Sequence, residues 1–125
     1  MNVSVVTTDY FRREAKKLLK KYRSLKQELQ ELIEELGENP RIGIRIGDDT
    51  YKIRLAVKSR GRGKSGGMRI ITYIDVEVEL EEQNHTVVYL ISIYDKSERS
   101  NISDSDIKRL IDEIQDIAAE EDEDS

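Results

Sequence analysis

The sequence predicts a small α+β domain with the element order β-α-α-β-β-β-α. Three observations predict it. Apolar residues recur at helical spacing in two successive stretches before Pro40. After Pro40 the period changes to two and then to nearly continuous apolar runs. After Ser103 the helical spacing returns. An antiparallel sheet packed by an N-terminal helix hairpin and followed by a C-terminal helix accounts for all three.

Taken in order, Asn2 to Thr7 reads as a short strand, because Val3, Val5 and Val6 are β-branched. Phe11, Ala15, Leu18, Leu19 and Tyr22 then mark one face of a helix that Thr7 or Thr8 can cap. Leu25, Leu29, Leu32, Ile33 and Leu36 mark a second helix, with Ser24 as its expected N-cap and Gly37 and Pro40 as its stop. The short break at Arg23 and Ser24 makes the pair an antiparallel hairpin. Tyr51, Ile53, Leu55 and Val57 alternate with Lys52, Arg54, Ala56 and Lys58, giving a strand with one apolar and one basic face. Gly61 to Gly67 reads as a loop, Met68 to Asp75 as a central strand, Glu77 to Asn84 as an acidic connection, and Thr86 to Tyr94 as a strand buried on both sides. Asp95 to Ile102 is a loop. The last helix is expected from Asp104 to Ala118, capped by Ser103 with Asp106 three residues on and striped by Ile107, Leu110, Ile111, Ile114 and Ile117. Residues 1–119 therefore form one domain, and 120–125 are expected to be a disordered acidic tail.

Composition narrows the chemistry. The chain has 125 residues, enough for one core without staples. It has no Cys, which removes disulfides, thiolate metal sites and a Cys nucleophile. With His85 as the single His, no metal-ligand spacing stands out and no cofactor is expected. No apolar run approaches the roughly 20 residues of a membrane helix. The first ten residues lack the basic and apolar segments of a signal peptide, so the expected setting is the cytoplasm, with no membrane partner.

The net charge is −5, but the charges are segregated. Between Thr50 and Ile74 lie Lys52, Arg54, Lys58, Arg60, Arg62, Lys64 and Arg69, with no Asp or Glu among them. Between Asp112 and Ser125 all charges are acidic. Salt screens charges over about 10 Å, so the local stripe governs phosphate binding more than the total does. GlyLysSer at 63–65 does not make a phosphate loop: the pattern requires Gly where Lys58 stands, and a strand follows where a helix is needed. Lys52 and Arg54 leave the same strand face, and a hairpin brings Arg69 beside them. Such a group is either a solvated face paired with distant carboxylates or an anion site. The absence of acids between the cations favours an anion site for a polyphosphate backbone. Lys96, just after the third strand of the run, can reach the same face. Tyr73 and Tyr94 are either core residues or stacking surfaces for bases. His85 reads as an ordinary surface residue, and the pairs Asp48–Asp49 and Glu81–Glu82 as solvated turns.

The run TyrLysIleArgLeu (51–55), then GlyLysSerGlyGlyMetArgIleIleThrTyr (63–73), then LeuIleSerIleTyrAspLysSerGlu (90–98) resembles the RelE branch of the RelE/ParE toxin superfamily. The likeness extends from PheArgArgGlu in the first helix to the last helix. It implies the toxin of a bacterial type II toxin–antitoxin pair, a ribosome-dependent endoribonuclease that cuts messenger RNA and is restrained by a cognate antitoxin protein. By motif, it implies catalytic roles for Lys52, Arg54, Arg69 and Lys96. Lys96 stands where the family has an Arg, and Ile102 where it often has a Tyr. Lys58, Arg60, Arg62, Lys64, Tyr73 and Tyr94 are then the expected RNA contacts.

The implied reaction needs no metal at the site: the RNA 2′-OH attacks the adjacent phosphate. It requires a base, cations for the developing charge and a proton donor for the leaving 5′-oxygen. Lys52 is the candidate base, Arg54 and Arg69 the charge partners, and Lys96 a proton donor or phosphate anchor. The competing reading is a non-catalytic binder, either a ParE-like inhibitor of DNA gyrase or a degenerate antitoxin-binding domain. The basic face favours the nuclease and Ile102 favours the binder.

Overall fold

The computed structural model describes residues 2–60, 67–78, 84–98 and 102–124, and only the backbone at 60, 77–78 and 117–124. Five strands and three helices follow in the order β1 (Asn2–Thr7), α1 (Asp9–Lys21), α2 (Leu25–Glu38), β2 (Ile44–Gly47), β3 (Thr50–Leu55), β4 (Met68–Val78), β5 (Asn84–Asp95) and α3 (Asp104–Asp124). A 3-10 turn at Lys58–Arg60 follows β3. The sheet order is β1-β5-β4-β3-β2. The expected meander is present as antiparallel β3, β4 and β5. β1 joins it in parallel along β5, with Asn2 opposite His85 and Thr7 opposite Leu90.

Local signals account for most element ends. Thr8 caps α1, its side chain accepting from the Phe11 N–H at 3.1 Å. Ser103 caps α3 in the same way through the Asp106 N–H at 3.1 Å. Three expectations are corrected. Ser24 has helical backbone and makes no capping bond to α2. Its hydroxyl instead lies 2.8 Å from both Glu28 Oε1, four residues on, and Ser59 Oγ, a tertiary partner, and both compete with the capping bond. α2 runs through Gly37 to Glu38, with Asn39 in extended conformation at its end; no Cβ contact or positive φ holds Gly37 to a stop role. α3 continues to Asp124, past the expected end at Ala118. The backbone of residues 120–124 belongs to this helix, and neither Gly nor Pro interrupts the chain between Ser103 and Ser125.

One element was absent from the sequence reading. β2 is four residues long and exposed throughout. It pairs with β3 through a tight turn in which Asp49 takes φ 55°. Ile42, Ile44 and Ile46 alternate with Gly43, Arg45 and Gly47, so a period-two signal is present in the sequence, weakened by the two Gly, which are poor strand formers.

Two apolar clusters lie on opposite faces of the sheet. Phe11, Ala15 and Leu18 of α1 and Leu25, Leu29, Leu32 and Leu36 of α2 pack on Ile53, Ile70, Ile74, Val88, Leu90 and Ile93. This is the face to which the expected helix hairpin belongs. On the other face, Ile107 and Leu110 of α3 pack with Ile102 on Ile71, Ile91 and Tyr94. Each fully buried Leu or Ile contributes about 1.5–3 kcal/mol relative to exposure. The sheet is therefore a central layer, and the cation-bearing face is partly roofed by α3.

Candidate functional site

Sheet register assembles the site. In an antiparallel ladder, directly opposed residues send their side chains to the same face with Cβ atoms about 4.5–5.5 Å apart. Arg54 of β3 is opposite Arg69 of β4, and Arg69 is opposite Tyr94 of β5. Lys52 stands two residues from Arg54 and opposite Ile71. Lys52, Arg54, Arg69 and Tyr94 thus share one face, the face that also receives α3. The alternation of β3 explains this: Ile53 is buried against the helix hairpin, which sends its neighbours the other way.

The four candidate cations differ in environment. Arg54 and Lys96 are exposed and Lys52 is half-buried. Arg69 is only 5% exposed. Its Nη1 donates to the carbonyls of Gly67 and Met68, both at 3.4 Å, the long limit of useful hydrogen bonds. Among the described residues, neither Arg54 nor Arg69 has a carboxylate within ion-pair distance. Two guanidinium groups in opposed positions, one of them buried, repel and carry a desolvation cost that an anion between them relieves.

Lys96 enters from the turn after β5. Its backbone N–H donates to the Gly67 carbonyl at 3.2 Å, the same oxygen that Arg69 reaches. Gly67 is required there: a Cβ would lie 2.4 Å from the Leu55 carbonyl oxygen. Asp95, 2% exposed, orders the turn by accepting from the Ser97 N–H and hydroxyl, both at 2.9 Å.

The expected RNA contacts divide. Lys58 is exposed at the start of the 3-10 turn. The side chain of Arg60, and Arg62 and Lys64 entirely, lie outside the described residues. Tyr73 is half-buried, with its ring 6.3 Å from that of Tyr89 and its hydroxyl accepting from Gln115 Nε2 at 3.2 Å. Tyr94 is 6% exposed inside the α3 cluster, so of its two readings the structure places it as core, with α3 over the ring a base would need. Ile102 is 2% exposed in the same cluster. His85 is half-buried, not simply superficial, with Nε2 2.9 Å from Ser4 Oγ.

Two grooves, of about 450 and 270 Å³, run along α3. Neither is lined by a candidate cation. The cation group lies on a sheet face outside both grooves, which is how proteins commonly meet a nucleic-acid backbone. What sequence reasoning missed is the supporting set behind that face: Tyr22, Glu28 and Asp95. Nothing in their spacing distinguishes them from ordinary helix and turn residues. Among the described residues, no helix is long and apolar enough to cross a membrane.

A structure of an E. coli RelE toxin mutant in the free state is 23% identical, with 80% of this chain and 90% of that chain covered and a TM-score of 0.49. The family model described as the RelE toxin of the RelE/RelB toxin–antitoxin system matches residues 3–124. That match spans nearly the whole chain, and the chain belongs to the RelE toxin family.

Proposed function

We propose that this RelE-family toxin is a ribosome-dependent messenger RNA endoribonuclease of the cytoplasm, held in check by a cognate antitoxin. The observation that carries the reading is the opposed Arg54–Arg69 pair, with Arg69 buried and neither side chain ion-paired among the described residues. A buried guanidinium costs several kcal/mol unless a counter-charge arrives, and RNA phosphate supplies one.

In the reaction the 2′-oxygen bonds to phosphorus while the bond from phosphorus to the 5′-oxygen breaks. Lys52 takes the 2′-hydroxyl proton. Arg54 and Arg69 stabilise the charge on the non-bridging oxygens. Lys96 protonates the leaving 5′-oxygen or anchors the neighbouring phosphate. Lys58, Arg60, Arg62 and Lys64 hold the strand, with Tyr73 at its margin. The ribosome supplies substrate alignment, which accounts for so few catalytic groups. The antitoxin covers the same face with Asp or Glu, so reversing the charge of Lys52, Arg54 and Lys96 together abolishes its binding.

A specific observation favours a second reading, a toxin that binds without cutting. Ile102 fills the position of the frequent family Tyr and is buried, offering no proton-transfer group. Incubation with translating ribosomes, followed by mapping of message 5′ ends, decides between them. New 5′ ends that disappear in Arg69→Ala support the nuclease. An unchanged message with inhibited growth supports the binder.

A further inference from the structure

The α1–α2 corner touches both turns that flank the cation face, and it does so from the opposite side of the sheet. At the end of α1, the Tyr22 hydroxyl donates to Asp95 Oδ2 at 3.0 Å, and Lys21 Nζ lies 2.7 Å from Glu98 Oε1. Asp95 uses its other oxygen on Ser97, so one carboxylate joins the helix to the turn that carries Lys96. At the start of α2, Glu28 is 8% exposed and accepts from the Lys58 N–H at 2.8 Å. Ser24 and Ser59 close the joint, each hydroxyl accepting from the other's backbone N–H at 2.9–3.1 Å.

We infer that Tyr22 and Glu28 are positioning residues that set Lys96 and Lys58 at the two margins of the cation face, acting through Asp95 and the Ser24–Ser59 joint. Two buried carboxylates are directed to turn backbone here, one at each root. Both turns are short: the first places the Lys96 N–H on the Gly67 carbonyl and the Glu98 N–H on the Asp95 carbonyl, and the 3-10 turn spans three residues. Phosphoryl chemistry tolerates little misplacement, and a shift of about 1 Å can cost 10²-fold. A hydrogen bond to a buried carboxylate is the device that limits such a shift. The corner itself touches no substrate.

The test compares Tyr22→Phe, Glu28→Gln, Lys96→Ala and the double variant Tyr22→Phe/Lys96→Ala by message cleavage on ribosomes and by amide hydrogen exchange. The inference rests on the ribonuclease reading for its cleavage arm alone. Tyr22→Phe removes one hydroxyl and keeps the ring, so the fold is retained. Exchange at the Lys96 and Ser97 amides rises about tenfold in Tyr22→Phe, and at Lys58 and Ser59 in Glu28→Gln. Cleavage falls about tenfold in Tyr22→Phe but not further when Lys96 is already Ala, because residues acting as a unit are not additive. Full additivity in the double variant, or unchanged exchange at these amides, overturns the inference. A wild-type protein that leaves message intact overturns the ribonuclease reading instead, and the exchange at the two turns then decides for or against the clamp.

Discussion

Replacing Arg69 separates a residue kept for function from one kept for folding. The side chain is 5% exposed, and among the described residues its hydrogen bonds go to two carbonyls at 3.4 Å. A guanidinium has five donors, so most of its capacity is unspent on the described residues. At about 4 Å from a phosphate oxygen, with an effective dielectric near 20, the attraction is about 4 kcal/mol. Loss of one such donor to a developing anion costs about 3–4 kcal/mol of transition-state stabilisation, or 10²–10³ in rate. Arg69→Met keeps much of the volume and removes the buried charge. Its effect on folding is therefore neutral or stabilising, by about 1–4 kcal/mol. The paired assays are message cleavage on ribosomes and urea unfolding. Arg69→Met should cleave at least a hundredfold more slowly while unfolding at the same or higher urea. A variant that cleaves at the wild-type rate refutes the charge-partner role. One that loses several kcal/mol of stability shows that Arg69 is held by partners that offset its burial.

Gly67→Ala should destabilise by about 1–3 kcal/mol in urea unfolding, since its Cβ would meet the Leu55 carbonyl oxygen at 2.4 Å. Thr72→Val should stabilise by about 1 kcal/mol in the same assay, because the Thr72 hydroxyl is fully buried without a hydrogen-bond partner and Val matches its shape. The hydrogen bond from Lys21 to Glu98 raises the Lys21 ammonium above its ordinary range, with Tyr22 adding to the effect. A raised folded value means that this contribution is fully present at neutral pH and fades as pH climbs past the ordinary lysine range. Thermal unfolding of wild type and Glu98→Gln should therefore differ at neutral pH and low salt and converge at strongly alkaline pH.

Much of the fold was readable because it depends on spacing within a few residues. Phe11, Ala15 and Leu18 of the first stripe and Leu25, Leu29, Leu32 and Leu36 of the second are buried as their period requires, while Leu19, expected on the same face, is 38% exposed; the Thr8 and Ser103 caps form as their local chemistry allows. The alternation at Lys52–Leu55 separated a basic face from a core face before any pairing was known. The charge segregation was equally visible, since it needs no geometry.

The tertiary structure decided what depends on competition between distant segments. β1 runs parallel to β5 across some 80 residues of chain, a pairing no local pattern specifies. The register that sets Arg54 against Arg69 comes from which residues of β3 and β4 are buried together, because a slip of one residue would turn every side chain to the other face. Ser24 reads locally as a cap, and Tyr94 reads either as core or as a stacking surface. Ser59, 35 residues away, claims the first, and the second packs with Ile107 and Leu110 of α3 as core. In each case the local preference is worth about 1 kcal/mol or less, and burial against a distant element offers more.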